Sequence, residues 1–164
     1  MLTVPRYSSE PFPSYRFVPG EHPHPTRDPK GHSYGKPEIV APLSADTWQR
    51  CEPYLYGIDL FNHQFWWEAH EALEPLWRVA GRESRGGLFL QGLIQVAAAL
   101  LRHSMDPTEA ARAKMEEGID KLCQVPDRFL GIDVPALVAD VRAFLDDRRA
   151  EAPVIRLAVP GSRG

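Results

Sequence analysis

Apolar residues recur with helical spacing through the middle of the chain, most clearly between Asp59 and Trp77. At 100° per residue they form one stripe, which predicts the core-facing side of an amphipathic helix: Phe61, Phe65, Ala69, Ala72 and Leu76. The opposite side collects four other residues within roughly 60° of one another: His63, Trp67, His70 and Glu74. Because tryptophan has a large apolar area to bury, we expect both sides to be covered and His70 and Glu74 to lie in a partly buried polar site.

The preceding segment predicts a helix from Ala45 to about Tyr56, with Ser44 as its N-cap and Pro53 distorting it. Asp59 is the predicted cap of the central helix. Within that helix, Pro75 lacks the N–H that would bond the carbonyl of the residue four positions earlier, so a bend is expected there.

The next periodic segment, Leu88–His103, is apolar nearly all round and is predicted to be the most buried helix. Its polar residues Gln91 and Gln95 are four apart, hence side by side on one face. A fourth helix is predicted from an Asp106 cap to about Gln124, and a fifth after an Asp133 cap. No strand is predicted. The fold class is therefore all-α, a compact bundle of about five helices spanning residues 44–150.

Residues 1–43 differ from this bundle because they hold nine of the sixteen prolines and show no helical or strand period. They predict an irregular arm, and its aromatic residues favour an arm laid across the folded body. The arm also carries His22, His24 and His32, which are candidate metal ligands. The tail, residues 151–164, is expected to be loose, with contact between Val154–Val159 and the body as the alternative.

The formal net charge is −3 and the basic residues are dispersed, which argues against nucleic-acid and membrane binding. The N-terminus shows no secretory pattern, so we expect a cytoplasmic protein. The cysteines, Cys51 and Cys123, lack metal-type spacing and are expected to be reduced. The composition leaves open an unknown small-molecule or protein partner and a homo-oligomer.

Candidate chemistry lies at His70-Glu71-Ala72-Leu73-Glu74, which begins like the zinc-protease motif His-Glu-x-x-His but has Glu74 in place of the second histidine. His70 and Glu74 could hold a divalent metal from one helix, although two ligands are too few for a closed site. Without a metal, Glu71 or Glu74 could act as general acid or base with His70. A third alternative is structural: these groups, with Gln91 and Gln95, form a hydrogen-bond network between two helices.

Two motifs in this region resemble the family named domain of unknown function 309. They are Leu60-Phe61-Asn62 followed by Trp67-Glu68-Ala69-His70-Glu71 and Glu74-x-x-Trp77, and then Leu90-Gln91-Gly92-Leu93-Ile94-Gln95-Val96-Ala97-Ala98. The resemblance covers roughly residues 56–122 and implies a small helical fold of soluble bacterial or archaeal proteins. It implies no activity. His63 is not part of the family pattern. The candidates that the pattern includes are His70, Glu71, Glu74, Trp77, Gln91 and Gln95.

Two function classes remain open. In the first, His70, Glu71 and Glu74 are candidate catalytic groups of a small-molecule or metal site, with hydrolysis as the suggested reaction. Its candidate ligand-binding residues are Asn62, Trp67, Trp77, Gln91 and Gln95. In the second, the protein is a non-catalytic helical interaction or oligomerisation module, its polar cluster is structural, and its arm binds a partner.

Overall fold

A computed structural model describes residues 3–158 of the protein, and this part contains five α-helices and one two-stranded hairpin. The helices are α1 (Glu52–Asn62), α2 (Trp66–Ala80), α3 (Arg85–Met105), α4 (Glu109–Leu122) and α5 (Val134–Leu145). The antiparallel hairpin pairs β1 (Arg128–Phe129) with β2 (Ile132–Asp133). The prediction of a compact, mostly helical bundle is confirmed.

Helix α3 forms the centre of the bundle, packed between α2 and α4. Its contact with α4 is close at Gly92, where an added Cβ would lie 3.0 Å from the Gly118 carbonyl oxygen and 2.9 Å from Leu122. α3 is also long and apolar enough to cross a membrane, by length and composition alone. A core helix of a soluble bundle has the same properties, and α3 packs as a core helix here.

The predicted helices before α3 were wrong in their boundaries. The segment Asp59–Trp77 is not one helix, because the chain breaks between α1 and α2 at Gln64, whose φ is +67°. The Phe65 N–H reaches back to the Leu60 carbonyl at 2.9 Å and closes the end of α1. Asp59 therefore lies inside α1 and caps nothing.

The helix predicted from Ala45 to Tyr56 is replaced by a 3₁₀ turn at Trp48–Arg50 and the first half of α1. α1 begins at Glu52, so Pro53 lies in its first turn, where a missing N–H removes no helical hydrogen bond. The expected distortion is thereby avoided.

The core-facing side of α2 largely follows the predicted stripe. Ala69, Leu73 and Leu76 are buried, whereas Ala72 of the predicted stripe is only partly buried. Pro75 lies inside α2 as predicted, and the helix continues through it to Ala80.

The later helices follow the prediction with small shifts. Ser84 caps α3, and Thr108 caps α4 in place of the expected Asp106: the Thr108 hydroxyl accepts from the Ala111 N–H at 3.1 Å. Asp133 caps α5 as predicted. The hairpin was not predicted, since two-residue strands show no alternation. Its turn places both Leu130 and Gly131 at positive φ.

The chain ends lie against this bundle. Residues 3–43 contain no helix or strand. In the tail, Ile155 and Leu157 are buried rather than loose. Asn62 accepts from the Ile155 N–H at 2.6 Å and donates to the Ile155 carbonyl at 2.8 Å. The described part of the tail therefore contacts the body, as the alternative expectation for Val154–Val159 had it. Val159 lies outside the described residues.

Candidate functional site

His70 and Glu74 lie together on α2, as their spacing predicts. His70 Nε2 is 3.1 Å from Glu74 Oε2, and the two side chains are 28% and 38% exposed. The other ring nitrogen, Nδ1, is 3.2 Å from the Trp67 carbonyl oxygen. The Trp67 ring meets the His70 ring edge-on with centroids 6.0 Å apart. The pair is therefore partly buried beside an indole and still reaches solvent.

The remaining members of the predicted cluster do not converge on this pair. Gln95 faces α4, where its Oε1 accepts from Lys121 Nζ at 2.8 Å, so its predicted pairing with Glu71 or Glu74 was wrong. Glu71 and Gln91 are partly buried, and the structure brings neither into the His70–Glu74 contact.

Two of the predicted ligand-binding residues on α1 and α2 contact the protein's own chain ends, and the third contacts the loop between α2 and α3. The Asn62 side chain forms two hydrogen bonds with the main chain of Ile155 in the tail. Trp67 meets two rings of the arm edge-on: Phe17 at 5.1 Å and His24 at 5.5 Å between centroids. Trp77 lies under the guanidinium of Arg82, 5.5 Å from its ring centre.

The histidines of the arm point to different partners. His22 Nδ1 accepts from the Val18 N–H, and His24 Nδ1 accepts from the Arg27 N–H. His32 instead turns towards α2. Among residues 3–158, no group of three or more His, Cys, Asp or Glu side chains is arranged to hold a metal ion.

The buried polar contact of α2 is made by Glu68, which the sequence analysis did not single out. Glu68 Oε2 is 2.7 Å from His32 Nε2 and accepts from the Phe17 N–H at 2.9 Å. The His32 and Glu68 side chains are only 3% and 4% exposed. His32 Nδ1 lies 2.7 Å from Ser33 Oγ, so an imidazole with its proton on Nε2 donates to Glu68 and accepts from Ser33.

A second buried carboxylate, Asp59, holds the arm nearer its start. Its side chain is fully buried and accepts three hydrogen bonds, from Arg6 Nε at 2.9 Å, the Tyr7 N–H at 2.8 Å and the Ser8 N–H at 2.9 Å. A buried carboxylate is costly unless it is paired and hydrogen-bonded. The arm supplies both the cation and the donors.

Aromatic packing lies between these two polar anchors. Phe12 stacks on Phe65 with ring centroids 5.0 Å apart and an interplanar angle of 13°. The Arg6 guanidinium lies 4.0 Å from the Phe12 ring centre. The Tyr56 hydroxyl donates to the Pro11 carbonyl at 2.8 Å, and burial is the main cause that raises the pKa of Tyr56 to about 12.

Residues 54–113 match the model of one family, Domain of unknown function (DUF309). This segment is similar to that family, and we call it the DUF309 domain. The match confirms the resemblance read from the sequence, and it spans most of α1, all of α2 and α3, and the start of α4. No curated protein matches the chain.

The arm lies outside the matched segment, whereas the carboxylates that hold it, Asp59 and Glu68, lie inside. We call the surface of the DUF309 domain that carries Asp59, Phe65, Trp67 and Glu68 the docking face. Chemically, this face holds an extended chain through main-chain N–H groups, one guanidinium and several aromatic rings.

Proposed function

We propose that this protein is a non-catalytic helical interaction module whose DUF309 domain binds an extended segment at the docking face. The observation that carries this proposal is that both buried carboxylates of the face accept main-chain N–H groups from the arm: Tyr7 and Ser8 at Asp59, and Phe17 at Glu68. In the present structure the arm is the bound segment.

The chemistry of these contacts suits recognition of a peptide. Bonds to main-chain N–H groups do not depend on the side chains of the bound segment, so they tolerate many sequences. Selectivity comes from the side-chain contacts, in which Arg6 pairs with Asp59, Phe12 stacks on Phe65, and Phe17 packs against Trp67.

The positions of the candidate catalytic groups also favour a non-catalytic module. Gln95 is directed to α4, away from His70 and Glu74. Two surface clefts, of about 320 Å³ beside α5 and about 660 Å³ beside the tail, are lined by other residues than His70, Glu71 and Glu74.

The test is binding of a fluorescent peptide with the sequence of residues 3–36 to the full chain. The variant Arg6→Ala/Phe17→Ala weakens the chain's own arm, so the peptide no longer competes with a tethered segment at millimolar effective concentration. We expect this variant to bind at least about tenfold more tightly than the wild type. Adding Asp59→Asn should abolish binding.

Arg27→Ala is the matched control, because Arg27 lies in the arm and its side chain is exposed. It should bind the peptide as weakly as the wild type does. Absence of saturable binding to the Arg6→Ala/Phe17→Ala variant, with its helical circular dichroism intact, would contradict the proposal.

A second candidate function, a small-molecule or divalent-metal site with hydrolase-like activity, rests on the His70–Glu74 pair beside Trp67. Its test is calorimetric titration with Zn²⁺ or Mn²⁺ against His70→Ala, with His103→Ala on α3 as control. Stoichiometric uptake that His70→Ala alone removes would support a metal site. Equal uptake by the wild type, His70→Ala and His103→Ala would contradict a metal site at His70.

A further inference from the structure

We propose that the docking face also accepts the arm of a second copy of this chain, so that two copies exchange arms reciprocally in a two-fold symmetric dimer. This inference rests on the proposed function and names a partner for the docking face. Its basis is the segment that links the arm to the bundle, residues 36–43, which we call the hinge.

Residues 41–43, at the end of the hinge, are held by the bundle: the Ala41 and Pro42 carbonyls accept from Cys51 Sγ and Thr47 Oγ1, and Ala41 and Leu43 pack partly against the core. Residues 36–40 have few contacts that fix their course. None of the hinge's eight residues is in a helix, strand or turn, and six are exposed. Its one side-chain ion pair joins Glu38 to Arg78 at 2.6 Å, and each of the two side chains is about half exposed. An ion pair of this kind contributes little, because solvent screens it. Fully extended, eight residues reach about 26 Å, so the hinge is long enough to lead to a neighbouring molecule.

The contacts that hold the arm all lie before the hinge. Arg6, Tyr7, Ser8, Phe17 and His32 meet Asp59 and Glu68, and none of these bonds involves residues 36–43. A second copy presents the same carboxylates in the same geometry, so an exchanged arm makes the same bonds. Closed and exchanged forms then differ only at the hinge and in the entropy of association.

The hinge region carries apolar side chains that the closed form leaves in water. Ile39 is 64% exposed, Val40 47% and Val79, beside Arg78, 73%. In a symmetric exchanged dimer the two hinges run past each other between the two bodies, where these side chains can pack together. Burial of apolar area then favours the exchanged form and opposes part of the entropy of association.

The tethered arm has an effective concentration in the millimolar range, so the wild type should be a monomer at micromolar and a mixture at millimolar protein. Deleting residues 37–42 joins Lys36 to Leu43, and we expect the shortened link to keep an arm from reaching its own docking face. We expect this variant to be a dimer at micromolar concentration by light scattering, with the Tyr7, Ser8 and Phe17 amides still protected from exchange.

Two further variants make the experiment specific. Replacing residues 37–42 by six glycine and serine residues keeps the length of the hinge and should leave a monomer at micromolar concentration. Adding Asp59→Ala and Glu68→Ala to the deletion removes the acceptors on the docking face and should return the deletion variant to a monomer.

A deletion variant that is monomeric would overturn arm exchange, as would a dimer that survives Asp59→Ala/Glu68→Ala. The proposed function fails separately, in the peptide titration. Peptide binding together with a monomeric deletion variant would therefore retain the docking face and reject the second copy as its partner.

Discussion

Asp59→Asn is the substitution with the clearest consequence for the docked arm. The carboxylate is fully buried in α1, and its two oxygens share three donors: Oδ2 faces Arg6 Nε and Ser8 N, and Oδ1 faces Tyr7 N. An asparagine of the same shape has only one oxygen. Its best orientation turns that oxygen towards Arg6 and Ser8 and leaves its NH₂ group opposite the Tyr7 N–H.

The expected loss follows from these contacts. A hydrogen bond to a charged group contributes about 1.5–3 kcal/mol, and the substitution removes at least one of them together with the charge opposite Arg6. The Arg6 side chain is 35% exposed, so solvent screening limits the charge contribution. We expect the arm to be destabilised by about 3 kcal/mol, a large part of the 5–15 kcal/mol typical of a whole domain.

The assay combines urea unfolding with amide hydrogen exchange. Asp59→Asn should lower the free energy of unfolding and speed exchange at Tyr7 and Ser8, while amides of α3 stay protected. Asp120→Asn is the control, since Asp120 is an exposed helical aspartate. A loss below about 0.5 kcal/mol, the level of ordinary surface substitutions, with unchanged exchange at Tyr7 and Ser8, would refute the reasoning.

Three other outcomes follow from single contacts. Asn62→Ala should cost about 2 kcal/mol and expose the Ile155 amide to exchange, because both amide bonds to the tail are lost; unchanged exchange would contradict this. Alkylation should modify exposed Cys123 well before Cys51, whose pKa burial raises; equal rates would be inconsistent with the packing. The Tyr56 hydroxyl has a pKa of about 12 against 10.0 when unfolded. Its contribution to stability should be complete below pH 10 and lost by about pH 12, as phenolate absorbance compared with Tyr56→Phe would show.

The helical bundle could be predicted because its helices have a regular apolar period and recognisable caps. Asp133 before α5 is an example in which side-chain type and position together mark the boundary. The break at Gln64 could not be predicted, since a glutamine in left-handed conformation carries no glycine-like signal. Within α2, Leu73 is buried and Ala72 of the expected stripe is only partly buried.

The candidate site was only partly predictable for a related reason. His70 and Glu74 are neighbours on one helix, so spacing alone placed them together. Asp59 and Glu68 owe their roles to partners 36 to 53 residues away in an arm without periodicity, and no local pattern predicts such pairs. The available signal was Asp59 itself, a charged residue between Ile58 and Leu60 in an apolar stretch of helix.

Amide exchange at Phe17 tests the docked arm most directly, because this N–H donates to Glu68 Oε2 in a segment that contains no helix or strand. The wild-type amide should be protected. In Glu68→Ala, which removes the accepting oxygen, it should exchange close to the rate of an unstructured peptide, with α3 unaffected. Fast exchange at Phe17 in the wild type, or protection that survives the substitution, would contradict the claim that buried carboxylates of the DUF309 domain hold the arm.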